Sequence, residues 1–324
     1  AFGRQSLTDP YTPLKAKEGR IDDIRTCIGC HHGCVGNLMQ NIPGTCILNP
    51  LLGKESQIKI ENTTSPKHIV VIGAGPGLEA AIVAAKRVHH VKVYEKERMA
   101  GGAFRLAAVP PGKGEIATYA VWQMNQLEKL GVQVIFERAT PELIKADNPD
   151  IVICANGATP IIPKKLPGSD KAIVVTANDV LAGKVNTGAN VVVIGGGDVG
   201  SETANHLASN LRNVTLVEML DDIATDEVIV PRWGLLDDMK NHGVRVCTKT
   251  TVKEIKDNSA DREGKHEEVP VDTVVLAVGS RPNTELSDAL KEAGYDVRVI
   301  GEAKKAPGNA WVAITEGFNV GREI

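Results

Sequence analysis

Aromatic residues are scarce in this chain, at 3% of its 324 residues. A protein that binds single strands or sugars by ring stacking needs more of them. Charge of one sign is missing too. The formal net charge is −3, so no polyanionic partner and no nucleic acid is implied. No apolar run reaches the roughly 20 residues that cross a bilayer, so no membrane partner is expected. There is no HExxH and no Ser/His/Asp arrangement, and no general acid or base stands out. Cysteines number only six and no signal peptide is visible, which disfavours a secreted disulfide framework and suggests a cytoplasmic protein. What is abundant is Gly, Ala and Val, in a chain long enough for about two domains. That balance suits an α/β nucleotide-binding protein.

Four of the cysteines are grouped as Cys27-x2-Cys30-x3-Cys34-x11-Cys46. Thiolates this close, with one more a short loop away, suit a cubane iron–sulfur cluster. A structural zinc site also takes four cysteines, usually as two separated knuckles, whereas Cys46 stands alone. Disulfides are the third reading. His31 and His32 lie inside the loop and are expected beside the site or facing solvent, since four thiols suffice. Cys154 and Cys247 lie in apolar runs and read as buried strand residues without a redox role. Residues 1–65 show turn residues and little periodicity, so a cluster could serve as their core.

From Lys67 the pattern changes. His68–Ile72 reads as a buried strand, Gly73–Gly77 as a tight turn, Leu78–Arg87 as a helix and Val91–Tyr94 as the next strand, ending at Glu95. Val191–Ala204 repeats this βαβ pattern and closes with the strand Val214–Val217 and Glu218. Eighteen positions separate Gly77 from Glu95, and 18 separate Gly200 from Glu218. Two dinucleotide sites in one chain point to two different nucleotides. Between the copies the sequence suggests a helix over 114–130 and strands at 132–136 and 151–154. After them come a helix near 233–241, strands at 244–248 and 274–278, and a closing helix from about Ala310.

The second turn is a complete G-x-G-x-x-G of Gly195, Gly197 and Gly200, with Asp198 and Val199 inside it. The first glycine makes the turn, the second admits a pyrophosphate, and the third lets helix pack on strand. The helix N-terminus then receives the diphosphate, and Glu218 is placed for ribose hydroxyls. The first turn, Gly73-Ala-Gly75-Pro-Gly77, has one residue fewer. A lost residue would rotate a continuing helix by about 100°. Either the turn tightens or the sequence is in error there. Gly101 and Gly102 follow the next strand and would let backbone approach a cofactor. Gly301 and Glu302 end a late strand, where an acid would bind a polyol chain.

These residues resemble the iron–sulfur flavoproteins related to 2,4-dienoyl-CoA reductase, 2-enoate reductase and trimethylamine dehydrogenase. The resemblance rests on Glu18–Cys30, on Cys46-x-x-Asn49-Pro50, on Val70–Pro76 and on Ala107–Gly112, and it runs over essentially the whole chain. It implies a 4Fe-4S cluster on Cys27, Cys30, Cys34 and Cys46. It implies FAD along Gly73, Gly75, Gly77, Glu95, Gly101, Gly102, Arg105, Gly157, Gly301 and Glu302, and NADH along Gly195, Gly197, Asp198, Val199, Gly200 and Glu218. Glu302 replaces the family's Asp, Asn156 replaces a usual Thr, and Val88 stands where a helix-ending Gly is common.

The family's FMN-binding barrel is missing. Residues 1–10 resemble its last segment, with Gly3 and Arg4 near the FMN phosphate, and the absence of an initiator methionine fits a fragment. The implied organisation is a barrel remnant and cluster segment over 1–65 and an FAD domain over 66–178 and 285–324. A nicotinamide domain over 179–284 interrupts it, in a glutathione-reductase-like α/β arrangement. The implied activity is electron transfer from NADH through FAD and the cluster to FMN, reducing an enoate or enoyl-CoA. The barrel would lie in the same or another chain, and a homo-oligomer stays open. The alternatives are an amine-dehydrogenase-like member with ADP in the second site, or a non-catalytic nucleotide- or metal-binding module.

Overall fold

The computed structural model describes residues 2–257, 259–263 and 267–324, so Ala1 of the barrel-like segment lies outside the described residues. The chain forms two compact units. The first comprises the residues up to Arg105, Glu115–Thr159 and Arg281–Ile324, and the second Leu106–Gly114 and Pro160–Ser280.

The first unit is built on a five-stranded parallel sheet. Its order is Asp296–Val299, Ile151–Cys154, His68–Ile72, His90–Tyr94, Gln133–Ile135. The central strand is apolar without alternation because both of its faces are covered, and Ile69, Val70 and Val71 are fully buried. Helices Gly77–Lys86, Ala117–Lys129 and Ala310–Glu323 belong to this unit. The last packs tightly on the first. A Cβ at Gly317 would lie 2.5 Å from the Pro76 carbonyl oxygen, and one at Gly321 2.7 Å from that of Ala80. This small-residue spacing was legible as Gly317-x3-Gly321, yet the sequence reading passed over it.

The second unit repeats the plan, ordered Val174–Thr176, Thr273–Leu276, Asn190–Ile194, Asn213–Val217, Arg245–Cys247. A three-stranded antiparallel sheet of Thr251–Ile255, Ser259–Glu263 and Glu267–Pro270 is added to it. The repeat holds bond for bond. Asp150 donates its backbone N–H to the His68 carbonyl (2.8 Å) while its carboxylate accepts the His68 N–H (2.7 Å). Asp272 does the same with Asn190, at 2.9 and 2.8 Å. The α/β class with two Rossmann-like sheets is therefore what the chain adopts.

Four details depart from the sequence reading. The units divide at 105/106, 114/115, 159/160 and 280/281, where the sequence suggests 178 and 284, and Val174–Thr176 pairs with Thr273–Leu276 within the second unit. A strand of three residues carries too little periodicity to assign it beforehand. Residues 1–65 contain the short helices Arg4–Thr8, Thr12–Lys17 and Asn37–Met39, with a π-helical turn at His32–Gly36. The helix over 114–130 is a 3-10 turn, Gly114–Ile116, followed by Ala117–Lys129. Cys154 is buried as expected, whereas Cys247 sits on an edge strand and is only half-buried.

Both nucleotide-type helices end alike. Val88 donates to the Ala85 carbonyl and His89 to that of Ala84, and in the sister copy Leu211 donates to Ala208 and Arg212 to Leu207. These are Schellman closures, which place one residue in the left-handed region. Val88 has φ 67° and Leu211 φ 61°. A β-branched residue there is strained by about 1–2 kcal/mol. Val88 is largely exposed, so little packing opposes its replacement. Val88→Gly is expected to stabilise the protein by about 1 kcal/mol after the entropy cost of glycine. A urea midpoint that stays put or falls would refute this.

Candidate functional site

The two glycine turns are the same device built with different lengths. A Cβ at Gly73 (φ 100°) would lie 2.4 Å from the Ala155 carbonyl oxygen, and one at Gly195 (φ 104°) 2.4 Å from that of Ala277. A Cβ at Gly77 would lie 3.1 Å from the Ala155 Cβ, and one at Gly200 3.1 Å from the Ala277 Cβ. The third glycine thus makes one contact in both copies, despite the residue missing from the first. The turn tightens to achieve this. Ser201 donates its N–H to the Gly197 carbonyl four residues back, whereas Leu78 reaches Gly75 only three residues back (3.2 Å). The 100° rotation is absorbed in this first turn and does not pass down the helix.

Around the first turn the fold gathers residues distant in sequence. Gly101 donates its N–H to the Ala74 carbonyl (2.7 Å), and a Cβ at Gly102 would come 3.4 Å from the Gly75 Cα. A Cβ at Gly301 would lie 2.9 Å from the Pro76 ring. Arg105 follows in the short helix Ala103–Ala107 and turns back to the Met99 carbonyl. Gly157 accepts the N–H of Asn283, and the carboxamides of Asn156 and Asn283 each donate to the other's carbonyl. The Asn at 156 thus ties these two chain segments together. Glu302 accepts the N–H of Gly308 within its own loop.

Glu95 and Glu218 occupy equivalent places and are both buried. Glu95 accepts the N–H of Ala74 (2.7 Å) and that of Glu97 (2.8 Å). Glu218 accepts the N–H of Gly196 (2.5 Å) and that of Leu220 (2.8 Å). Each carboxylate braces the turn beside it, and its remaining lone pairs are available to hydroxyl groups.

At the head of the second helix, Asp198 has a buried side-chain oxygen with no partner. Burial first, and then Glu227, Glu202 and Asp226, push its pKa up to about 6. Lys113 opposes this. It forms ion pairs with Glu202 and, at 3.6 Å, with Glu227. Val199 is exposed beside Asp198. Lys113, Glu202 and Glu227 escaped the sequence reading, because nothing in their spacing links a lysine 89 positions away to that helix.

The four grouped cysteines line one cavity, together with Arg4, Thr8, His31 and Thr45. All are free thiols. Among the described residues no three His, Cys, Asp or Glu side chains converge on a single metal ion. Four thiols lining one cavity are the donor set that an iron–sulfur cluster takes.

Burial first, and then the neighbouring thiols, push the Cys30 pKa up to about 12. Four thiolates together therefore need a strongly cationic group among them. The loops are held from outside. Cys27 donates its N–H to the Gln5 side chain (2.8 Å), Thr8 Oγ1 lies 3.4 Å from Cys46 Sγ, and Asn49 donates to the Leu7 carbonyl (2.9 Å). Arg4, expected near an FMN phosphate, is bonded here to His31.

Two nucleotide-type turns and a thiol-lined cavity define a redox protein of the two-dinucleotide class. Residues 67–303 match the pyridine nucleotide-disulphide oxidoreductase family, and the chain belongs to it. It is 41% identical over its whole length to 51% of an NADH oxidase from Thermoanaerobacter brockii. It is 32% identical over its whole length to 49% of a cinnamate reductase from Clostridium sporogenes. A solved complex of 2-naphthoyl-CoA reductase with 2-naphthoyl-CoA superposes with a TM-score of 0.95 at 32% identity, over 99% of this chain and 50% of that one. The chain spans about half the length of these relatives and corresponds to their C-terminal half.

Proposed function

We propose that this chain is the electron-input half of an NADH-dependent flavin and iron–sulfur oxidoreductase of the enoate-reductase type. Cys27, Cys30, Cys34 and Cys46 would hold a 4Fe-4S cluster. The Gly73–Gly77 turn, Glu95, Gly101, Gly102, Arg105, Gly157, Gly301 and Glu302 would hold FAD. The Gly195–Gly200 turn and Glu218 would hold NADH. When bound, these groups supply hydride and single-electron chemistry, while the protein binds and orients them. The helix N-termini present free N–H groups to the diphosphates. Glu95 and Glu218 offer lone pairs to ribose hydroxyls.

One observation carries this reading: the thiol-lined cavity and two glycine turns of matching construction occur in a single chain. Relatives named for reducing unsaturated acids and thioesters align with all of it. An FMN-binding barrel, in the same or another polypeptide, is the proposed partner and would carry the enoate or enoyl-CoA site. In support, Phe2, Tyr11, Leu14, Ile21, Leu38 and Met39 all expose large apolar side chains within the first 39 residues. The FAD-loaded chain should oxidise NADH with an artificial dye and reduce no enoate. An absence of dye reduction, or enoate reduction by the chain alone, would overturn the proposal.

A further inference from the structure

A buried histidine nitrogen beside the thiols has no partner. His31 lines the same cavity as the four cysteines and directly follows Cys30. Its backbone is left-handed, with φ 58°. Arg4 Nη1 lies 2.6 Å from His31 Nε2. A guanidinium has donors only, so Nε2 is the acceptor of this bond and the ring's proton sits on Nδ1. Nδ1 is buried and meets no hydrogen-bond acceptor in the protein. A buried N–H left in that state costs about 1–3 kcal/mol.

We infer that His31 donates its Nδ1–H to a sulfur of the iron–sulfur cluster, that Arg4 holds it in this tautomer, and that the bond raises the cluster's reduction potential. The inference rests on the cluster assigned above to Cys27, Cys30, Cys34 and Cys46. Its physical basis is charge. A one-electron reduction makes the cluster sulfurs more negative, so an N–H donor stabilises the reduced form more than the oxidised one. His31 is a positioning and tuning residue and not a ligand.

The test is an EPR-monitored redox titration of the reconstituted chain, with iron and sulfide counted in every sample. His31→Leu should lower the equilibrium constant for cluster reduction about tenfold, equivalent to about 59 mV for one electron. His31→Asn keeps an N–H close to the Nδ1 position and tolerates the left-handed backbone, so its potential should stay near the wild-type value. Arg4→Met frees the tautomer and should shift the potential the same way by less. A purely structural role would lower iron content without moving the potential of the cluster that remains.

A second readout does not depend on the leucine variant folding. In wild-type protein labelled with histidine carrying 15N in the imidazole ring only, the reduced cluster should show a 15N hyperfine coupling that survives His32→Asn. A wild-type potential in His31→Leu, or no such coupling, overturns the inference and leaves the cluster assignment standing. A wild-type chain that takes up no iron and sulfide removes both.

Discussion

Replacing Cys30 by Ser should take the protein from about four iron and four sulfide per chain to almost none, after anaerobic reconstitution. The reason is partly electrostatic and partly structural. The Cys30 thiol is partly buried and that burial raises its pKa, so a cationic group beside it favours its ionisation. Ser offers a much poorer ligand at the same place. The surrounding segment has little else to hold it. It has no helix or strand between Gln40 and Lys67, and Ile28, Ile47 and Leu48 are its buried apolar residues.

Ligand binding in such a segment is coupled to folding, on the order of 10 kcal/mol for comparable cysteine sites. The Cys30→Ser protein should therefore be cut rapidly by protease within the first 65 residues, while the two sheets resist. Cys154→Ser, which alters a buried thiol in a sheet, should keep its iron. Stoichiometric zinc without sulfide in the wild type, or full iron in Cys30→Ser, would sink the assignment.

The nicotinamide preference should change by a comparable amount at Glu218. With both oxygens braced by backbone N–H groups, its carboxylate is fixed in place and cannot swing away from a ligand. Ribose hydroxyls can donate to it, whereas a 2′-phosphate would meet like charge at close range. That repulsion costs several kcal/mol. Arg212 bonds toward Thr187 at the other end of the strand, and Met219 is uncharged and exposed. Dye reduction should favour NADH over NADPH by about a hundredfold or more on this account. Glu218→Gln keeps one of the two acceptors for the turn and loses the charge, so the preference should shrink at least tenfold. Glu218→Ala should also loosen the turn and weaken both cofactors. Native preference for NADPH, or unchanged discrimination in the glutamine variant, would refute the placement.

Much of the architecture was legible because its signals are local. After their first residue the strands His68–Ile72 and Asn190–Ile194 are unbroken apolar runs, and each is followed at once by a glycine turn and a helix. The two acids fall at matched distances from their turns because one helix and one strand of fixed rise separate them. The repeat even exposed the missing residue. The left-handed Val88 was marked by its position after the helix, although its φ was not knowable from that position. The short edge strand Val174–Thr176 and the antiparallel sheet beyond Thr251 were not legible, since each is selected by partners far along the chain.

By itself, then, the sequence determined the two βαβ copies, the class of ligand their turns suit, and the grouping of four thiols. These follow from spacing, and spacing acts over a few residues whatever the rest of the chain does. Only the tertiary structure decided how the shortened turn closes, since that required Ala155 on a neighbouring strand to set where Gly77 must sit. It alone joined Lys113 to Glu202, and Arg4 to His31 across 27 positions. Side chains of that kind meet because packing brings their backbones together, and no local periodicity encodes the meeting.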